Sequence, residues 1–365
     1  MTDRKKKVLL VGAGRVGRFV AAHLQDVLLD VMDPSEEALA NLRSQGLGRR
    51  LSSDASPTQV QQCIRAEAYD LVISAVPGNL GEAMAQAVLA AGASLVDVSF
   101  YPRNPVELAA EVRPDAVYIP DAGIAPGLSN LFAGKWHRAP GGLREFRCYV
   151  GGLPQRPRPP LFYEAPFHPM DALDEYVRPA GIIRNGRVEW PEPLAVLEHV
   201  SFFDEVGPLT AFYSDGLRTL LYTLKDVPMM AELTLRYRPH LELMRSFYEL
   251  GFLHEDRRAT LAEWLLPAVK MQGPDMTLMR CRAVGSNGAI RTFQMIDYGT
   301  PAQASMSKVT GSVAVVAARA VLNRRAELFG DGGFYPLERL SDLWDEAVAF
   351  LRAQGARIKE TAGPA

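Results

Sequence analysis

Three cysteines are all this 365-residue chain contains, Cys63, Cys148 and Cys281, and none stands in C-x-x-C spacing. That excludes a disulfide framework and a zinc site built on paired thiols, and sets the expectation of a reduced, cytoplasmic protein. The six histidines are isolated, with no H-x-x-x-H pair and no neighbouring cysteine, so no metal is expected. A G-x-S-x-G elbow is missing, which removes the serine-hydrolase reading. Charge of one sign is missing too: 40 basic residues face 42 acidic ones, for a net −2. No broad positive field is left to hold a phosphate backbone, so nucleic acid is not an expected partner. No uninterrupted apolar run approaches the roughly 18 residues of a membrane span. The basic start Arg4-Lys5-Lys6-Lys7 is followed by an apolar run that stops at Gly12, with Arg15 and Arg18 next. That run is too short for the core of a signal peptide.

The remainder is an ordinary globular composition, 48% hydrophobic and 22% charged, at a length that suggests two domains. In the first third, the short apolar runs Val8–Val11, Leu28–Met32, Leu71–Ala75, Leu95–Val98 and Ala116–Ile119 read as buried strands. Between them Arg18–Asp26, Glu36–Gln45, Thr58–Glu67, Leu80–Ala91 and Pro105–Glu111 carry helical spacing. Such alternation predicts an α/β fold, a doubly wound parallel sheet. After Gly127 the pattern changes. Strands Glu145–Val150 and Met276–Ala283 are separated by irregular stretches, and Leu153–Pro169, with six prolines, reads as an extended surface segment or arm. Helices are expected at Gly216–Leu224, His240–Leu250 and Leu261–Leu266. Thr310–Leu322 is small and apolar almost all round, so it predicts a buried helix packing back on the first domain. The tail Gly355–Ala365 reads as loosely held. The expected domains are 1–125, 126–309 and a C-terminal segment 310–365.

Gly12-Ala13-Gly14-Arg15-Val16-Gly17 is a G-x-G-x-x-G sequence directly after a strand, opening a helix. Gly12 serves the tight turn, Gly14 lets backbone approach a pyrophosphate, and Gly17 lets the helix close on the strand. The N–H groups at the helix start, with Arg15 and Val16, face the phosphates. Asp33 ends the second strand, where a carboxylate takes the ribose hydroxyls. This is the fingerprint of a Rossmann dinucleotide site. Asp33 repels a 2′-phosphate and Pro34-Ser35 supply no arginine for one, so NAD is the expected cofactor. Ala75, Pro77, Asp97 and Ser99 sit at other strand ends, which face the ligand in such sheets, and Asp121 follows the last of these strands. The plainer alternative for Asp97 and Asp121 is helix capping or turn formation.

From Asp121 onward the chain resembles the saccharopine dehydrogenase family, most closely its lysine 6-dehydrogenase branch. The matching segments are Asp121-Ala122-Gly123-Ile124-Ala125-Pro126-Gly127-Leu128-Ser129-Asn130, Gly151-Gly152-Leu153-Pro154, Tyr213-Ser214-Asp215-Gly216-Leu217-Arg218-Thr219-Leu220 and Thr234-Leu235-Arg236-Tyr237, then His240 and Gly251-Phe252. The resemblance implies a Rossmann domain, a second α+β substrate and dimer domain with a mixed sheet, and a C-terminal helix returning to the first domain. It also implies oxidation of an amino acid at a C–N bond, and a homodimer. Two departures stand out. Saccharopine reductases usually carry Asp where this chain has Ala125, and the family's Pro-Gly-His after Thr-Leu-Arg-Tyr reads Arg238-Pro239-His240 here.

Amine oxidation by hydride transfer needs a neutral amine, hence a base. Asp121 and His240 are the candidate proton-transfer groups. Asp97, Arg236 and Tyr237 are candidates for holding substrate, Arg236 through a bidentate grip on the α-carboxylate. The plainer alternatives are a helix-start histidine bonded to backbone and a strand arginine on a solvated face. The expected function is NAD-dependent oxidative deamination of a basic amino acid, with L-lysine at its ε-amine the first choice. A reductase joining an amine and a carbonyl, of saccharopine or carboxynorspermidine type, is the second reading, and a non-catalytic NAD-binding protein the third.

Overall fold

A computed structural model describes residues 4–165 and 173–364, in two compact units. The first comprises the chain up to Lys135 together with Ser307–Leu351, and the second Trp136–Met306 together with Arg352–Ala365. In the first, β1 (Lys7–Val11), α1 (Arg15–Ala22), β2 (Leu28–Met32), α2 (Glu36–Ser44), β3 (Arg50–Ser52), α3 (Pro57–Glu67), β4 (Leu71–Ser74), α4 (Gly78–Ala90), β5 (Leu95–Asp97) and β6 (Val117–Ile119) follow one another. A 3-10 helix, Pro105–Glu111, lies between β5 and β6. With β15 (Gly333–Phe334) the strands form a seven-stranded sheet in the order β15-β6-β5-β4-β1-β2-β3, and every pairing is parallel. The run of apolar residues in β1 and β4 follows from burial on both faces: Val8, Leu9, Leu10, Val11, Leu71, Val72 and Ile73 have no accessible surface.

All five expected strands form within a residue of their expected ends. The chain adds β3 and β15, three and two residues long at the sheet margins, too short for periodicity to reveal. Helix α1 begins at Arg15 and not at Arg18, because the glycine turn runs straight into it. Helix Ser305–Asn323 contains the small apolar run, and the explanation for its glycine is contact: a Cβ on Gly311 would stand 2.5 Å from Phe19 of α1. Although this helix is long and apolar enough to cross a membrane, 78% of its apolar window is buried in the protein, as in a core helix.

The second unit is built on a mixed sheet: β7 (Glu145–Pro154), β10 (Leu197–Val200), β11 (Leu209–Ser214), β12 (Met229–Tyr237), β13 (Asp275–Val284), β14 (Ile290–Tyr298) and β16 (Arg357–Gly363), in the order β10-β11-β12-β7-β13-β14-β16. The hairpin β8 (Ile182–Arg184) and β9 (Arg187–Glu189) joins it through β12. Only β12 and β7 run parallel among these pairs. Helices Arg238–Glu249 and Glu255–Val269, with Leu253 of the turn between them, bring Leu241, Met244 and Leu261 together with Tyr176 and Phe212.

Several expectations are corrected here. The proline-rich stretch is no free arm: Leu153 and Pro154 complete β7 opposite Met276 and Asp275, and Leu161, Tyr163 and Ala165 are buried with Val269. Pro166, His168 and Pro169, at its end, lie outside the described residues. The tail is held, since β16 pairs with β14 from Arg357 to Gly363. The helix expected at Gly216–Leu224 shrinks to Leu220–Thr223, because Arg218 takes a left-handed φ of 48° and Gly216 lies hard against the Glu232 carboxylate. The first unit also extends past residue 125, through Lys135: Gly134 in helix α5 (Leu128–Arg138) lies where a Cβ would be 2.0 Å from the Glu338 carbonyl oxygen.

Candidate functional site

The order of the parallel sheet reverses between β1 and β4, and in such sheets the ligand crevice lies at that reversal, outside the carboxyl ends of the strands. The glycines of the turn have separate reasons. Gly12 has φ +101°, and a Cβ would sit 2.5 Å from the Ala75 carbonyl oxygen. A Cβ on Gly17 would sit 1.9 Å from the Gly12 carbonyl oxygen, so only glycine lets α1 close on the turn. Around Gly14 a Cβ would meet nothing within 4 Å; the space there is open, as the approach of a dinucleotide requires. Gly14 caps α1 without a side-chain bond, and no acid stands in the first turn. Helix α4 starts likewise after Pro77, without a side-chain cap or an acid. By contrast Ser35 and Ser56 cap α2 and α3, away from the reversal. Two helix starts without side-chain caps therefore stand beside the reversal, and both favour an anion. Arg15 is exposed and Val16 half-buried at the start of α1.

Asp33 fastens this turn. Its Oδ2 accepts the Ala13 N–H at 2.6 Å and its Oδ1 the Ser35 N–H at 2.7 Å. Each oxygen keeps a further lone pair for a ribose hydroxyl. The cradle that a Cβ at Gly14 would invade, the uncapped helix starts and this carboxylate together fit a nicotinamide dinucleotide.

At the next strand ends stand two buried carboxyl groups. Asp97 has no accessible surface; Oδ1 accepts the Ser99 N–H at 2.9 Å, and Oδ2 has no hydrogen-bond partner. Burial pushes this group up to about 7 against the Ser99 bonds that favour its anion, and the charge of Asp121 adds to the rise. Ser99 Oγ lies 3.2 Å from Ser74 Oγ, tying the ends of β5 and β4. Ala75 is half-buried and Pro77 exposed at the edge of the crevice. Asp121, after β6, has φ +53° and is almost wholly buried. Its neighbour Ala122 donates its N–H to the Asp97 carbonyl oxygen at 2.8 Å. Asp97 and Asp121 are thus brought together at adjacent strand ends, with Asp121 the more accessible of the two. As folded, Asp97 offers a ligand no surface to touch.

The remaining candidates gather in the second unit. Arg236, on β12, is 1% exposed, so the solvated-face alternative is excluded. Its Nη2 donates to Glu175 Oε2 at 2.6 Å, its Nε to Tyr176 Oη at 3.2 Å and its Nη1 to the Leu235 carbonyl at 2.9 Å, while the guanidinium lies 4.6 Å from the Tyr163 ring centre. His240 Nδ1 lies 2.8 Å from the Leu161 carbonyl oxygen, to which it donates, leaving Nε2 to accept from Tyr176 Oη at 2.8 Å. Burial, together with the Arg236 charge, lowers His240 to about 3, so the ring is neutral. Tyr237 Oη donates to the Pro154 carbonyl at 3.1 Å. The arrangement matches the plainer alternative for His240, a histidine bonded to backbone. Sequence reasoning passed over Tyr163, Glu175 and Tyr176, which complete this cluster; they lie in irregular segments where no period or motif marks them. Among the described residues no group of three or more His, Cys, Asp and Glu could hold a metal ion.

Comparison with known proteins bears on both units. A model described as "Saccharopine dehydrogenase NADP binding domain" matches residues 8–125, and one described as "Saccharopine dehydrogenase C-terminal domain" matches residues 123–355. Alpha-aminoadipic semialdehyde synthase, mitochondrial, of Rattus norvegicus is 26% identical over 282 residues, covering 69% of this chain and 29% of that protein. Saccharopine dehydrogenase [NADP(+), L-glutamate-forming] of Saccharomyces cerevisiae is 26% identical over 269 residues, covering 69% of this chain and 59% of that protein. The chain therefore spans less than two thirds of the length of these relatives. Among solved structures, apo saccharopine dehydrogenase (L-Glu forming) from Saccharomyces cerevisiae superposes with a TM-score of 0.78 at 19% identity, over 98% of this chain and 100% of that one. The homospermidine synthase of Legionella pneumophila in complex with NAD gives a TM-score of 0.67 at 12% identity, over 99% and 92%. Both are likenesses of fold.

Proposed function

The chain belongs to the saccharopine dehydrogenase family, and from that premise we propose that it is an NAD-dependent oxidoreductase that deaminates a basic amino acid, L-lysine at its ε-amine being the first choice. The observation that carries this reading is the placing of Asp121, a buried carboxylate in a left-handed turn at the end of β6, on the sheet whose crevice is bordered by Asp33. Bound NAD supplies the hydride acceptor. The chain's own work is proton transfer and the positioning of the amine. An ammonium has no lone pair to expel a hydride, so the Asp121 carboxylate takes one proton from it and the neutral amine reacts. Loss of hydride from carbon leaves a substrate iminium. Water adds to it, the C–N bond breaks, and the products are an aldehyde and ammonium. Asp33 supports NAD over NADP, because a 2′-phosphate would meet its charge, and Ala125 supports a substrate other than saccharopine.

In this reading His240 and Arg236 organise the second unit and do not transfer protons: both His240 nitrogens are engaged and the ring stays neutral. We extend the proposal to a homodimer formed through the second unit, where Val188, Trp190 and Met229 are exposed on and beside the β8–β9 hairpin. The test is NADH absorbance with purified protein, NAD or NADP, and lysine, ornithine, saccharopine or a diamine. Turnover of lysine or ornithine with NAD is expected. Turnover of saccharopine with NADP alone would replace this reading with the reductase one, which the names of the relatives favour.

A further inference from the structure

The turn that carries Asp121 is braced from far along the chain. Asn130, in the first turn of α5, and Glu338, in the 3-10 segment Leu337–Leu343, are 1% and 3% exposed. Asn130 Nδ2 donates to Glu338 Oε2 at 2.9 Å across 208 residues of sequence. This orients the amide, so that Asn130 Oδ1 accepts the Gly127 N–H at 3.0 Å and the Ser129 hydroxyl at 3.2 Å. From there the bonds run back along the loop. Leu128 N–H donates to the Gly123 carbonyl at 2.9 Å, and Gly123 N–H to the Asp121 carbonyl at 2.8 Å. Gly134 permits the close approach: a Cβ there would stand 2.0 Å from the Glu338 carbonyl oxygen.

A side-chain amide has a donor end and an acceptor end of nearly the same shape, and only its partners choose between them. A carboxylate accepts and cannot donate, so Glu338 fixes which end meets the loop. We propose that Glu338 and Asn130 are positioning residues, holding the 121–127 turn in the conformation that presents Asp121 for proton transfer. The C-terminal segment thereby becomes part of the reaction apparatus without touching substrate. The role of Asp121 rests on the function proposed above; the brace itself does not.

The test is an exchange of partners. Asn130→Asp sets two buried carboxylates against each other, while Glu338→Gln removes the acceptor-only partner yet can still turn an oxygen toward Asn130. In the Asn130→Asp/Glu338→Gln double variant the new amide donates to Asp, whose other oxygen accepts the Gly127 N–H. The expected result is a fall in kcat on the order of tenfold or more for Asn130→Asp, with NADH affinity kept within about twofold and the acid limb of the kcat–pH profile displaced, and a smaller fall for Glu338→Gln. The double variant should recover most of the lost kcat, since residues in one network couple. Hydrogen exchange of amides 121–129 should quicken in Asn130→Asp and slow again in the double variant. The brace is overturned if exchange there is unchanged in both single variants, or if the double variant is no better than Asn130→Asp. Should Asn130→Asp not fold, Glu338→Gln decides by the same exchange measurement and pH profile. A wild-type protein that turns over no amine would instead sink the proposed function, and the exchange data would still judge the brace.

Discussion

At the scale of single residues, three buried ionisable groups make different predictions. Asp33 bonds two backbone N–H groups, and a ribose hydroxyl bonded to it contributes about 1.5–3 kcal/mol, as charged hydrogen bonds do. Asp33→Ser should therefore weaken NAD and improve the relative use of NADP in steady-state assays. A wild-type preference for NADP would refute the assignment. Asp97 ionises in the unfolded chain near 3.8 and in the folded protein at about 7. Between those values the folded state holds the extra proton, so its contribution to stability is present below about 4 and lost as pH rises through 7. Asp97→Asn keeps an oxygen for the Ser99 N–H, so its urea midpoint should exceed that of wild type at pH 8, with the gain fading toward pH 4. His240 has the opposite sign. Its folded value, about 3, lies below the ordinary 6.5, so its stability is complete above 6.5 and lost as pH falls toward 3. His240→Asn should lower the melting temperature at pH 7, flatten the acid-side slope and leave the pH dependence of kcat in place. Loss of one limb of that kcat profile with unchanged stability would restore His240 as the proton-transfer group.

At the scale of elements, the first unit turns on which helices lack caps. Serine side chains cap α2 and α3, each accepting one backbone N–H, whereas α1 and α4, beside the reversal, start without a side-chain cap. Two glycines at the start of α1 separate folding from binding. Gly17→Ala drives a Cβ into the Gly12 carbonyl and should destabilise the unit by several kcal/mol, the scale of overpacking in a close-packed interior. Gly14→Ala meets nothing and changes a helix-capping residue from Gly to Ala, which alters stability by a few tenths of a kcal/mol to about 1. NADH titrated by fluorescence should nevertheless bind Gly14→Ala more weakly. Unchanged affinity would mean that the pyrophosphate does not approach there. The glycine turn was legible in the sequence because each of its constraints is local. The residues that enclose Arg236 were not, since Tyr163 and Glu175 reach it only through segments without regular structure.

At the scale of the whole molecule, the proposed homodimer is tested by sedimentation at micromolar concentration, where a single species at the monomer mass of 40.1 kDa would overturn it. Residues 307–351 return to the first unit and β16, residues 357–363, closes the mixed sheet of the second, so both units are assembled from segments far apart in the chain. What the sequence by itself determined was whatever depends on neighbours along the chain: strand and helix alternation, the glycine turn, and an acid at the end of β2. Only the tertiary structure decided the rest. Burial sets Arg236, expected to hold substrate, amid an aromatic and acidic cluster, and keeps His240, expected to move protons, neutral. Strand pairing holds a tail that reads as loose. Burial and pairing are set by chain segments that meet only on folding, and the local pattern of residues around Arg236, His240 or Arg357 carries no record of them.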